Sequence, residues 1–407
     1  MELTARNCAL EALLNVVENE GYSNIVIDKA IKKYQLEPRD AGLCSHIFYG
    51  VLENRITLDY YIGKFLNRPD YTLNTAVREI LRIAFYQFIY LDKIPENAIV
   101  NEAVKAVKEI KKQGQSGFVN ALLREFLRNK DAISLPEIDS PYGLSINYSI
   151  PLELIGLWIR SYGYDNTIQI VKSLSEKPKH FIRLNNTKAD DIELGFKYPF
   201  LENSYELGNV GNITELQEFK DGLFHVQDLS SQYLCEILSP KPNEKIIDVC
   251  SAPGGKTFTI AEKMNGEGTV YAYDLYKGRV KLIRDGAYRL GLKNVMASMR
   301  DATSEKCEIS DADRILCDVP CSGFGTIRRK AEIRYKELKT LDELPEIQYD
   351  ILVKSSKHLK SGGALVYSTC TLNPAENGEV ADKFLRENKD FTAVTIKIPQ
   401  GLKRTIE

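Results

Sequence analysis

The chain has 407 residues, 43% of them hydrophobic and 27% charged, and a formal net charge of −2. That length exceeds what one hydrophobic core usually supports, so two or three domains are expected in an ordinary soluble globular protein. No apolar run approaches the roughly 20 residues of a membrane-spanning helix, and Met1 to Arg6 lack the basic-then-apolar pattern of a secretory leader, so the expectation is a cytoplasmic protein with no membrane partner.

Residues 1–132 read as an all-α domain of five or more helices. Leu73, Val77, Ile80, Leu81, Ala84, Phe85 and Phe88 recur at three- and four-residue spacing, the stripe of one buried helical face. Similar stripes run from Ala9 to Val17, Leu58 to Leu66, Val100 to Ile110 and Phe118 to Leu127, punctuated by Pro95 and the Gly114/Gly117 pair. Over 133–170, Pro136, Pro141 and Pro151 break the pattern before a short helix with Trp158, which reads as a linker with short helices. Residues 171–235 carry short alternating strands and turns from Phe181 to Val226, a small α/β element.

Over 236–407 strands alternate with helices, which implies a parallel sheet. The expected strands are 246–250, 269–273, 294–299, 314–317 and 364–367, with helices at 256–264, 277–290 and 342–359 and a last strand at 391–398. Ligands of such sheets bind beyond the carboxyl ends of the strands. The polar residues Asp274, Asp301, Asp318, Cys321 and Cys370 all lie at those ends.

The turn Ser251-Ala-Pro-Gly-Gly255 follows the first strand. A P-loop would need glycine at Cys250, and no Gly-x-Gly-x-x-Gly is present. What remains is a tight Gly-Gly turn with Asp274 placed for ribose hydroxyls and Asp301 for an adenine or amino donor. This is a nucleoside-sized site without a phosphate cradle, which suits S-adenosylmethionine.

Eight cysteines stand at 8, 44, 235, 250, 307, 317, 321 and 370, with no Cys-x-x-Cys pair and four histidines, so no metal site is expected. Most buried cysteines are small hydrophobes. Cys321 and Cys370 differ, because they end strand segments among polar neighbours; their positions do not rank one above the other. The densest basic stretch follows Cys321: Arg328, Arg329, Lys330, Arg334, Lys336 and Lys339 against Glu332 and Glu337. Its place beside the chemistry makes Arg328, Arg329, Lys330 and Arg334 candidate RNA contacts.

Asp248-Val-Cys-Ser-Ala-Pro-Gly-Gly-Lys-Thr257, Asp318-Val-Pro-Cys-Ser322, Ile327-Arg-Arg329 and Tyr367-Ser-Thr-Cys370 with Pro374-x-Glu376-Asn377 resemble the motifs of bacterial RNA 5-methylcytosine methyltransferases, above all the RsmB (Sun/Fmu) family of 16S rRNA enzymes. Asn101-Glu-Ala-Val104 and Phe118-Val-Asn-Ala-Leu-Leu-Arg124 resemble that family's NusB-like N-terminal domain. Ser149-Ile-Pro151, Phe181 to Asn185 and Val226 to Gln232 resemble its connecting segments. The resemblance implies an all-α NusB-like RNA-binding domain, a small RRM-like α/β insert and a Rossmann-like methyltransferase domain. It further implies that Cys250, Ser251, Ala252, Pro253, Gly254, Gly255, Lys256, Asp274, Arg279, Asp301 and Asp318 hold S-adenosylmethionine. By the same resemblance Cys370 is the nucleophile, Cys321 the release cysteine, and the partner 16S rRNA or a small-subunit assembly intermediate, met by a monomer.

C5 of cytosine is not nucleophilic enough to take a methyl group directly. A thiolate adding to C6 makes C5 enamine-like, and thiols suit this because their pKa is easily depressed. Asp318 would pair with the base's N3/N4 edge. Ala331 and Tyr335 stand where the family often has proline and tryptophan. The family usually continues past the position of Glu407 to a strand with an Asp-Gly-Phe-Phe-like stretch, so domain 236–407 is expected to lack its last strand. The alternatives are a tRNA cytosine-C5 methyltransferase, which usually lacks the NusB-like domain, and an inactive RNA-binding relic, for which two retained thiols have no use.

Overall fold

The computed structural model describes residues 2–19, 23–66, 72–208, 210–396 and 398. Two units emerge: residues 1–176 with 326–338, and residues 177–325 with 339–407.

The first unit contains helices α1 (Ala5–Asn19), α2 (Ser23–Tyr34), α3 (Pro38–Glu53), α4 (Arg55–Gly63), α5 (Thr75–Tyr90), α6 (Glu96–Glu109), α7 (Ser116–Asn129), α8 (Pro141–Tyr148), α9 (Leu152–Tyr162) and α10 (Tyr164–Ser175). The stripes seen in the sequence bury as expected: Val77, Leu81 and Phe85 of α5 are fully buried, and Phe85 packs on Phe126 of α7. Each such apolar side chain contributes about 1.5–3 kcal/mol by leaving water.

The short helices expected over 133–170 form as α8 and α9, and the stretch belongs to the first unit. Pro141 stands at the first helical position of α8, where its missing N–H costs nothing, and Ser140 caps that helix by accepting from the Gly143 amide. Pro151 stands one place earlier relative to its helix, at the N-cap position of α9, without a side-chain cap bond. Two of the three prolines that looked like breakers, Pro141 and Pro151, are start signals, and Trp158 is fully buried. Thr57 of α4 donates to the Ile146 carbonyl at 2.6 Å and ties α8 to the preceding helices.

The second unit has two sheets. A four-stranded antiparallel sheet, in the order β2-β3-β1-β4, is made by β1 (Phe181–Leu184), β2 (Gly195–Lys197), β3 (Ser204–Leu207) and β4 (Phe224–Val226), with α11 (Gln217–Lys220) before β4. It is not a free-standing subdomain. Arg183 Nε donates to the fully buried Glu262 at 3.2 Å, and Asn185 Nδ2 to the Leu290 carbonyl at 2.8 Å, both in the methyltransferase-like part of the same unit.

That part runs α12 (Leu229–Leu238), β5 (Lys245–Asp248), α13 (Gly255–Lys263), β6 (Thr269–Asp274), α14 (Lys277–Leu290), β7 (Val295–Met299), β8 (Ala312–Asp318), α15 (Leu344–Ser356), β9 (Leu359–Ser368) and α16 (Gly378–Glu387). Its five strands are all parallel, in the order β7-β6-β5-β8-β9. The chain steps outward from β5 to β7, then returns to place β8 on the other side of β5. This reversal opens a crevice beyond the carboxyl ends of β5 and β8, where open α/β sheets bind their ligands. One apolar layer lies under α12, α13 and α14, the other under α15 and α16.

The strand expected at 391–398 does not form. Residues 391–396 and 398 carry no strand, and Phe391 packs on Phe384 of α16 while Val394 is 84% exposed. Position 397 and positions 399–407 lie outside the described residues. Among the described residues no helix is long and apolar enough to cross a membrane, and no cluster of metal-ligating side chains occurs.

Candidate active site

Asp248 ends β5 and is 1% exposed. Thr257, on the first turn of α13, donates to its Oδ2 at 2.7 Å, and Ser251 Oγ caps its carbonyl at 2.8 Å. The turn between them closes through Gly254, whose φ of +115° is closed to side chains. A Cβ there would lie 2.3 Å from the Phe258 ring.

Burial pushes the Asp248 carboxyl up to about 7; the Thr257 bond opposes this and the Asp318 charge adds to it. An unfolded aspartate titrates near 4. Between about pH 4 and 7 the folded chain therefore holds more protons than the unfolded one, and stability falls as pH rises through that window. Asp248→Asn without ligand should match the parent near pH 4 and exceed it above pH 7 by roughly 2–4 kcal/mol, at 1.36 kcal/mol per unit. Denaturant unfolding at the two pH values checks this; an equal difference at both would refute it.

A cleft of about 220 Å³ opens between the 250–256 turn and the Val226–Ser231 stretch. Cys250, Ser251, Ala252, Pro253, Gly255, Lys256 and Asp318 line it, joined by Asp248, Gln227, Asp228 and Ser231. Two of its buried atoms, Asp248 Oδ1 and Gln227 Nε2, lack a hydrogen-bond partner among the described residues. Thr259 Oγ1 donates to Gln227 Oε1 at 2.6 Å, which fixes that amide. An orphan acceptor and an orphan donor beside one cleft fit a ligand end that carries both signs of charge, as the amino-acid end of S-adenosylmethionine does.

The neighbouring strand ends supply the other acids. Asp274, 5% exposed, accepts from the Tyr276 amide at 3.2 Å. Asp301 accepts from the Thr303 hydroxyl at 2.6 Å and amide at 2.9 Å, and these bonds hold its carboxyl below the usual range. Arg279 is exposed with its guanidinium 5.2 Å from the Tyr276 ring centre, and it does not line the cleft.

Asp318 at the end of β8 pairs through Oδ2 with Lys256 Nζ at 2.7 Å. Its other oxygen accepts from Ser368 at 2.8 Å, because the β8–β9 register sets Asp318 opposite Ser368. Burial would lower the Lys256 ammonium, but the Asp318 charge outweighs it and holds the pKa raised.

The chain then turns through Pro320 to Cys321, and from Ser368 through Thr369 to Cys370. The two sulfurs lie 3.2 Å apart. The Cys370 amide also points at Cys321 Sγ, at 3.3 Å. Gly325 donates its amide to the Cys370 carbonyl at 2.9 Å, an approach that a Cβ on residue 325 would crowd to 2.9 Å. Cys370 is exposed and Cys321 half-buried. The hydrogen bond with Cys370, aided by burial, pushes the Cys321 thiol far up, and Cys370 is the more exposed of the two sulfurs. The remaining thiols are structural in setting: Cys8, Cys44, Cys235 and Cys317 are buried, burial pushes Cys235 and Cys317 up to about 12, and Cys250 is raised by the same cause.

The basic stretch needs correction at Arg334. That side chain is 5% exposed, and its Nη1 donates to the Glu53 carbonyl at 2.7 Å and the Ser149 carbonyl at 3.3 Å. Tyr335 donates to the Leu52 carbonyl at 2.8 Å, and Ala331 sits in the helical core. Arg334 is thus committed to helix ends of the first unit and is not available to a phosphate. Arg328 stands 3.8 Å from Glu176, while Arg329 and Lys330 are exposed. The sequence reading assigned no role to Asp248, Gln227, Ser368, Gln348 or Glu376. Asp248 could have been found as the acid ending a buried strand; the others are connected only by contacts made on folding.

Two family models match the chain: 16S rRNA methyltransferase RsmB/F over residues 235–407, and the NusB family over residues 3–128. A Bacillus subtilis (strain 168) protein named "Probable ribosomal RNA small subunit methyltransferase B" is 38% identical over 95% of this chain and 89% of its own length. The Escherichia coli O1:K1 / APEC protein named "Ribosomal RNA small subunit methyltransferase B" is 31% identical over 95% of this chain and 90% of that one. Among solved structures, PH0851 superposes with a TM-score of 0.78 at 25% identity, covering 95% of this chain and 90% of the other.

Proposed function

Because the chain belongs to the RsmB/F family of 16S rRNA methyltransferases and carries a NusB-family domain, we propose that it methylates C5 of one cytidine in 16S rRNA through a covalent bond between Cys370 and C6 of the base. The observation that carries this reading is the 3.2 Å contact between Cys321 and Cys370 at the carboxyl ends of adjacent parallel strands, beside the Lys256–Asp318 pair.

S-adenosylmethionine, when bound, supplies an electrophilic methyl group on a positively charged sulfur. Asp248, Gln227 and the 250–256 turn would hold its amino-acid end, with Asp274 and Asp301 set for its nucleoside. Cys370 contributes the electron pair that forms the S–C6 bond, which makes C5 a nucleophile. Asp318, fixed on one oxygen by Ser368 and on the other by Lys256, is the carboxylate that accepts from the N4 amino group and, once addition has made N3 basic and N3 has taken the proton given up by the attacking thiol, from N3–H. Once the Cys370 sulfur is bonded to carbon, it no longer holds the Cys321 thiol in a shared hydrogen bond. Cys321, its own proton released to water, then takes the C5 proton; the C–H electrons rebuild the C5–C6 double bond, and the S–C6 pair returns to Cys370.

The target base must leave its stack, at a cost of a few kcal/mol when it is paired and less in a loop. The test is incubation of the chain with labelled S-adenosylmethionine and unmodified 16S rRNA, followed by mapping of the label. Label on C5 of one cytidine is expected; label on an exocyclic amine or a ribose would reject the reading.

Arg329 and Lys330, exposed and next in the chain after the Cys321 loop, are the basic residues assigned here to the RNA backbone. Changing both to alanine should weaken rRNA binding and flatten the dependence of log affinity on log salt by roughly 0.7 per lost phosphate contact. A salt slope equal to that of the parent chain would remove the assignment.

A further inference from the structure

Glu376 is fully buried, yet none of the steps above uses it. Burying a carboxylate costs several kcal/mol unless hydrogen bonds replace the lost water. Among the described residues no cation pairs with it; its oxygens are satisfied by amides alone. Oε2 accepts from the Ser322 backbone amide at 2.8 Å and from Gln348 Nε2 at 3.0 Å, and Oε1 from Asn373 Nδ2 at 3.0 Å. The same Gln348 nitrogen donates to the Pro320 carbonyl at 2.9 Å. The residues before and after Cys321 are therefore both tied to one carboxylate.

The next residue does the same for the other thiol. Asn377 Oδ1 accepts from the Thr369 hydroxyl, and Asn377 Nδ2 donates to the Thr371 carbonyl at 2.9 Å, so the residues flanking Cys370 are tied to one amide. Two consecutive side chains, one on each cysteine loop, leave little freedom for the sulfurs to drift apart.

We propose that Glu376 and Asn377 form a two-armed brace that sets the separation of the thiols, Glu376 positioning Cys321 for release and Asn377 positioning Cys370 for addition. Both are positioning residues, since neither touches the reacting atoms. The inference rests on the covalent reading above. It predicts opposite phenotypes for adjacent residues, which a merely structural role would not give.

Glu376→Gln has the same shape but puts an NH₂ where two oxygens accept, so it must set a donor against a donor. In single-turnover reactions with rRNA it should form the methylated adduct at close to the parent rate and resolve it about tenfold or more slowly, because misplacement of a reacting group by about 1 Å costs up to 100-fold. Asn377→Leu should instead slow adduct formation by a similar factor and trap nothing. Both should bind S-adenosylhomocysteine as the parent does, since neither side chain lines the cofactor cleft. The inference is overturned if Glu376→Gln resolves its adduct at the parent rate, or if both variants lose cofactor affinity and all activity together. Cys321→Ser is the parallel control. If it traps RNA and Glu376→Gln does not, the brace fails and the covalent reading stands; if no variant traps RNA, the covalent reading itself has failed.

Discussion

Cys370→Ser is expected to lower methyl transfer to rRNA by on the order of 10⁴-fold or more, the loss typical of removing a covalent nucleophile. The serine hydroxyl fills nearly the same space, so the loops and the cofactor cleft should be unaffected. A hydroxyl is a far weaker acid than a thiol and its oxygen a far poorer nucleophile towards C6. Without addition at C6 the C5 carbon stays unreactive, however well the methyl donor is held. Incorporation of labelled methyl should vanish, no protein–RNA complex should survive denaturation, and S-adenosylhomocysteine affinity should match the parent. A Cys370→Ser chain that turns over at even one-tenth of the parent rate would exclude this thiol as the nucleophile.

The second large effect is expected at Cys321, and it differs in kind. Cys321→Ser retains Cys370, so addition and methyl transfer proceed, but the group 3.2 Å from the bonded sulfur no longer completes release. Multiple turnover should fall by on the order of 100-fold or more, a full general acid–base contribution. Enzyme bound to methylated RNA should accumulate as a species stable to denaturant and absent from the Cys321/Cys370 double variant. If Cys321→Ser is inert without an adduct and the Cys370 variant traps RNA, the two roles must be exchanged.

Periodicity carried much of this architecture. The helix over 277–290 was legible to the residue, because its apolar stripe of Val280, Ile283, Ala287 and Leu290 ends at Gly291, which closes the helix in the left-handed conformation. Strand ends were legible for a related reason: a buried run that stops at an aspartate or cysteine marks where backbone meets solvent. Pro141 and Pro151 misled because proline breaks a helix interior and opens a helix start; the Ser140 cap separates the two cases at Pro141, and nothing comparable marks Pro151. Arg334 misled because charge in a sequence says nothing of the carbonyls that fold against it. The two thiols could be singled out by place but not ranked; their difference in exposure and the bond between them exist only after β8 and β9 pair. Gln348 lay beyond reach for the same reason, and Glu376 stood in a motif whose partners, across a helix and two loops, the sequence does not show.

Segment 326–338 has a meaning for how such a protein could have arisen. End-to-end fusion of two genes leaves one junction, whereas this chain passes between its units at 176–177, 325–326 and 338–339. Ala331, Ile333 and Arg334, encoded within the catalytic half, are buried as members of the helical one. Cutting the chain after residue 176 would therefore take Ala331, Ile333 and Arg334 out of the helical unit and leave the groups they cover bare. The match to the NusB family ends at residue 128, and α8 to α10 with this segment lie beyond it. The helical unit is thus completed by a segment that the chain supplies only after β8.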